Sequence, residues 1–165
     1  MAMEGFFELR TPHDLLQKLE REYAQWKANP LNVDLAWNFF VTAEHLPDWL
    51  GRTNSQALGG RRIEDFKRDQ PITRICHHLA NGGKHFRPNP NWNTSVARTV
   101  RENTGWVEPG WIEEGWVGEE PALRVYLTPK ERTELKLDSE DIDALWLAAR
   151  IMEFWQVWPA LRTGT

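Results

Sequence analysis

The chain has 165 residues, 41% hydrophobic and 27% charged, which is enough for one buried core and too few for two comfortable domains. A net charge of −4 at pH 7 gives no global pull toward nucleic acid or an anionic membrane, so a polyanion would have to be met by a local basic patch. The single cysteine, Cys76, excludes an internal disulfide; with no signal-peptide pattern in Met1 to Arg10 and no apolar run of membrane-spanning length, the expectation is a cytoplasmic protein without a membrane segment.

Helical patterns dominate the chain order. Thr11-Pro12 reads as an N-cap and a first helical residue, and Leu15, Leu16, Leu19, Tyr23 and Trp26 recur at helical spacing until Asn29-Pro30. Asn32 is placed to cap a second helix, whose Val33, Ala36, Trp37, Phe40, Val41 and Ala43 imply burial on most sides before Pro47 kinks or ends it. Gly51 to Gly60 reads as a polar loop, Ile63 and Phe66 as a short helical turn, and Pro71 as the start of a third long helix. A last helix is predicted from Asp138 or Ser139 through Ile142, Leu145, Trp146, Ala149, Met152 and Trp155 to Trp158, where Pro159 stops it. The fold class is therefore mainly α: a four-helix-bundle-like single domain over 1–165.

Between the third and fourth helices, residues 87–127 turn rich in Pro, Gly, Asn and Trp, and Leu123 to Leu127 alternates as a strand does. The segment reads as an inserted Trp/Gly-rich loop with minor β structure. Within it Trp106, Trp111 and Trp116 recur in a Gly-Trp pentad, a period that matches neither strand nor helix. The reading is a series of turns whose indoles pack on the helices; the alternative is an aromatic, acidic surface for a protein partner or a second copy of the chain.

The chemistry concentrates on the third helix. At about 100° per residue, Arg74, His78, Asn81 and His85 share a sector of roughly 60°, while Ile72, Ile75, Cys76 and Leu79 lie on another face. Asn38, Thr42, His45 and Trp49 repeat the same spacing on the second helix, so two polar stripes would face each other across a pocket. The expectation is that His45 and at least one of His78 and His85 line one cavity, with Asn38 or Asn81 at its wall. His78 and His85 would then act as base and acid across a phosphodiester, Arg74 and Lys84 would hold its charge, and Asn81, Lys84, His45 and Asn38 would contact the substrate. No metal or other cofactor is needed for that chemistry. A second reading lets His45, His78 and His85 converge on a metal ion as a metal-dependent helical-bundle enzyme. A third is without catalysis: a satisfied polar network, with Arg74 paired to a carboxylate, and Asn81, Lys84 and His85 holding a small anion or a turn. Gly82-Gly83 costs about 1 kcal/mol per glycine inside a helix, so an end at Asn81 would free Lys84 and His85 from the stripe.

Ala80-Asn81-Gly82-Gly83-Lys84-His85 resembles the motif of the HEPN superfamily, small helical bundles that include metal-independent RNases of toxin-antitoxin and phage-defence systems. In that motif an arginine, a polar residue and a histidine lie on one helix. Asn81 and His85 match the last two; Ala80 stands at the arginine position, with Arg74, Lys84 and Arg87 the nearest basic residues. The resemblance implies a protein that binds or cleaves RNA or a nucleotide, or an inert member of the superfamily. The stretches Asn38 to Trp49 and Leu79 to Phe86 are also similar to uncharacterised bacterial and phage-associated proteins. A non-enzymatic interaction module using the Trp-rich insertion is the alternative function.

Overall fold

The structure, a computed structural model, describes residues 5–85, 89–91, 93–102 and 121–162. Helix α1 (Pro12–Ala28) starts where a capping box closes: Thr11 Oγ1 accepts from the Asp14 amide at 3.1 Å, and Asp14 Oδ2 accepts from the Thr11 amide at 2.8 Å. Helix α2 (Val33–Thr53) starts at Asn32, whose Oδ1 accepts from the amides of Asp34 and Leu35. It does not end at Pro47. Leu46 and Leu50 on either side are buried, and their packing holds the helix through the lost backbone donor.

Helix α3 (Ile63–Asp69) is the short helical turn, and α4 (Pro71–Lys84) follows it directly. α4 runs through both glycines, and His85 caps it with its amide donating to the Asn81 carbonyl at 2.7 Å. Gly83 is where α2 approaches: a Cβ there would lie 3.2 Å from the Trp37 ring, so the missing side chain is what lets the indole sit against α4.

Three strands follow, β1 (Val96–Glu102), β2 (Ala122–Leu127) and β3 (Asp141–Asp143), in the antiparallel order β1-β2-β3. Helix α5 (Pro129–Leu135), which the sequence reading missed, comes between β2 and β3, and α6 (Ala144–Gln156) follows β3. The last helix thus begins later than expected. Residues Asp141 to Asp143 pair with Tyr126 to Arg124, and Asp143 then caps α6 through the Leu145 amide at 2.6 Å. Ile142, read as the first apolar residue of a helix, is a buried strand residue.

The described residues are mainly helical with this one small sheet. α1 packs on α2, α2 on α4, and α6 touches all three. Trp26, Phe39 and Phe40 cluster on one side of the core, and Phe66, Phe154, Trp155 and Trp158 on another. Val125, Leu127 and Ile142 are buried, so the sheet's inner face joins the same core. No helix among the described residues is long and apolar enough to cross a membrane. The pentad of Trp106, Trp111 and Trp116 lies outside the described residues.

Candidate functional site

On α4 each polar residue takes a different environment. All five N–H donors of Arg74 are engaged: Nε and one Nη2 hydrogen on Glu131 at 2.8 and 2.9 Å, the other on Glu134 at 2.6 Å, and Nη1 on the carbonyls of Arg68 and Asp69. Glu131 is fully buried and also accepts from Ser95 Oγ at 2.9 Å. The bidentate bond to Glu131, ahead of that to Glu134, raises the guanidinium further above its ordinary range. Arg74 therefore ties α4 to α5 and keeps no donor for a substrate phosphate.

Three residues along, His77 belongs to a network that the sequence reading passed over. Its Nδ1 donates to Glu44 Oε1 at 3.0 Å, and its Nε2 accepts from Asn81 Nδ2 at 2.9 Å. Glu44 Oε1 also accepts from Lys67 Nζ at 2.6 Å, and Lys67 reaches Asp48 Oδ2 at 2.6 Å. Asn81 extends the chain to Asn93 Oδ1 at 3.1 Å. Burial pushes the Glu44 carboxyl up, but the bonds from His77 and Lys67 outweigh it and hold it below the ordinary carboxylate range. Lys67 is buried too, and its two carboxylate partners outweigh that burial and raise it. The hollow beside these groups is only about 10 Å³, too small for any organic ligand. Cys76 at its wall donates to the Phe40 carbonyl at 3.6 Å, and burial pushes its thiol far up, so it stays protonated. The signal for this network was present in the sequence: Glu44/Asp48 and His77/Asn81 are each an i,i+4 pair.

His78 faces the other way. Its Nδ1 accepts from the backbone amides of Ser95 and Val96 at 3.1 and 2.8 Å, which fixes the proton on Nε2. Burial, and then the neighbouring charge of His77, holds the imidazole below its ordinary range. His78 lines an open cleft of about 450 Å³ between α2, α4 and β1. Val33, Trp37 and Val41 of α2 form one wall, Leu79, Gly82 and Gly83 of α4 close one end, and Val96 to Arg101 form the other side. Val33 and Trp37 are about half exposed, at 52% and 49%, so this wall is uncovered apolar surface.

The strand register decides which cation serves the cleft. Thr99 and Arg101 pair across from Val125 and Leu123 and so share the sheet's inner face, while Arg98 pairs across from Tyr126 and stacks on its ring at 4.0 Å on the outer face. Arg101 is exposed and has no ion pair among the described residues.

The other expected site residues lie elsewhere. Asn38, His45, Lys84 and His85 are exposed, and none of them lines the cleft. The buried arc of α2 is Ala36, Phe39, Phe40, Ala43, Leu46 and Leu50, which turns Asn38 and His45 to solvent, and among the described residues His45 reaches only Glu44, at 3.7 Å. The shared cavity of His45 with His78 or His85 does not form, and Thr42 of the same stripe is buried on Lys18 at 2.7 Å. Among the described residues no three His, Cys, Asp or Glu side chains group as a metal site.

No protein-family model, curated protein or solved structure matches the chain.

Proposed function

We propose that this protein is a binding module whose ligand seat is the cleft between β1, α2 and α4. The observation that carries the reading is the exposed apolar wall of Val33 and Trp37 facing His78 and Arg101 across a concave space large enough for a ligand. Such a wall is costly to leave wet, and it is held open by specific features. Gly83 admits the Trp37 ring, and the amides of Ser95 and Val96 fix His78. The chemistry suited to it is an extended ligand with apolar groups and negative charge.

The second reading is the HEPN-like one, in which α1, α2, α4 and α6 serve as the four-helix bundle and RNA or a nucleotide is bound or cleaved. The half-exposed Trp37 ring supports it as a stacking platform, with Arg101 and the exposed Lys84 as phosphate partners. Cleavage would fall to His85, since the donors of Arg74 are engaged.

Fluorine NMR of the 5-fluorotryptophan-labelled chain, with the Trp37 line assigned by Trp37→Phe, reads the cleft directly. A pool of random linear peptides is expected to shift that line, and oligouridylate to leave it in place. RNA that shifts it and is cleaved in the presence of a chelator, with cleavage lost in His85→Ala, would establish the HEPN-like reading instead. A line unmoved by either ligand refutes the cleft as the seat.

A further inference from the structure

The cleft has a property that side chains do not explain. All six residues from Val96 to Arg101 line it, although the register turns Thr99 and Arg101 to the inner face and Arg98 and Val100 to the outer one. Consecutive strand residues share their backbone whichever face their side chains take, and the cleft touches Leu123 to Val125 of β2 in the same way, so its floor is the backbone of both strands. β1 gives one edge to β2, and no described strand pairs the other. Val96 gives its amide to His78, so the stretch of the cleft open to a backbone ligand is the β1 edge from Ala97 to Arg101, which no described strand pairs.

The opposite wall suits the same ligand. Val33, Trp37 and Val41 stand at i, i+4 and i+8 on α2, an apolar row of about 12 Å, which matches about four residues of an extended chain. The lining carries Arg98, Arg101, Arg124 and His78 and no carboxylate; Arg124 is met by Glu102 and Asp141 on the outer face, which leaves Arg101 as the inner-face cation. Asp34 borders only the adjoining hollow at the start of α2.

We propose that the cleft takes an acidic peptide as a fourth strand, paired backbone to backbone with the free edge of β1, its apolar side chains on Val33 and Trp37 and an acidic one on Arg101. This rests on the binding-module reading and gives that reading its ligand. A strand edge alternates donors and acceptors, which complements another peptide backbone; an RNA backbone offers anionic acceptors at every phosphate and donors only at its 2′-hydroxyls, so it does not match that alternation.

The test pans a phage-displayed library of random linear peptides on the full chain and counter-selects on Trp37→Lys. The expected winners are acidic with alternating apolar residues, and a synthetic winner binds at least ten-fold more weakly to Arg101→Glu and to Val33→Lys, both changes at exposed positions. N-methylating that peptide at one alternate set of residues is expected to abolish binding, and at the other set to leave it within about two-fold, because only every second amide of an added strand meets β1. Peptides that need Trp37 yet tolerate N-methylation at both sets overturn the added strand and leave the cleft reading standing. Peptides that bind Trp37→Lys equally well overturn both. A screen that yields no peptide, while fluorescein-labelled oligouridylate binds and loses affinity in Trp37→Lys, overturns the peptide in favour of RNA.

Discussion

Arg74 stood out in the sequence as a cation on a helix face with histidines, and its neighbours in space turn that prominence into a structural role. A guanidinium matches a carboxylate in a planar fork, and Glu131 with Glu134 and two backbone carbonyls uses the whole fork. Because Glu131 is fully buried, removing Arg74 alone strands a charge. Arg74→Met is expected to cost about 3–5 kcal/mol of unfolding free energy in urea, and Arg74→Met with Glu131→Met to recover most of it. A cost below about 1 kcal/mol for the single change would show that the pair is solvated after all.

At the scale of elements, the two glycines of α4 separate a propensity effect from a packing effect. Both are helical, and each carries the entropic cost of glycine. Around Gly82 a Cβ would meet nothing within 4 Å, whereas at Gly83 it would press on the Trp37 ring at 3.2 Å. Gly82→Ala is expected to raise stability by about 0.5–1 kcal/mol. Gly83→Ala should gain less, because the indole must yield, and it should displace Trp37 from the cleft wall. Thermal melts of the two variants, with the fluorotryptophan line of Trp37, check both halves; equal gains with an unmoved line would remove Gly83 from the account of the site.

For the molecule as a whole, the titrating groups predict how stability responds to pH. The native state holds His78 below its ordinary range through burial and then the charge of His77, so its contribution is complete above the ordinary histidine value of about 6.5 and is lost as pH falls through the lowered one. Glu44, lowered on balance by His77 and Lys67 against its burial, contributes in the same sense further into acid. Lys67, raised by Asp48 and Glu44 against its burial, contributes below the ordinary lysine value and loses that only as pH rises past the raised one. The urea midpoint is therefore expected to be level from pH 8 to about 6.5 and then to fall in two stages. In the first, protonating Nδ1 of His78 breaks both bonds to the start of β1. His78→Gln, which keeps an acceptor that does not titrate, should remove the first stage and leave the second; an unchanged profile in that variant would assign the fall to other groups.

Local chemistry made much of this chain legible before any coordinates. The Thr11 capping box, the Asn32 cap, the Pro71 start and the apolar spacing of α1 and α2 are short-range features, so they came through in the sequence with their residues in place. The strand at Ala122–Leu127 was visible for the same reason, as alternation. Tertiary structure decided the rest. Asp141–Asp143 is a strand because β2 is beside it, α2 outlasts Pro47 because its core contacts hold it, and α4 keeps its glycines helical although their propensity argues against it. The site divides the same way. Periodicity showed that α4 carries polar groups, but a rotation of one residue about the helix axis separates His77, in a closed network with Glu44, from His78, in the cleft. Which of two adjacent histidines faces the cleft is set by the neighbours that α2, α5 and β1 bring, and these contacts span 17 to 57 residues of chain that no local pattern encodes.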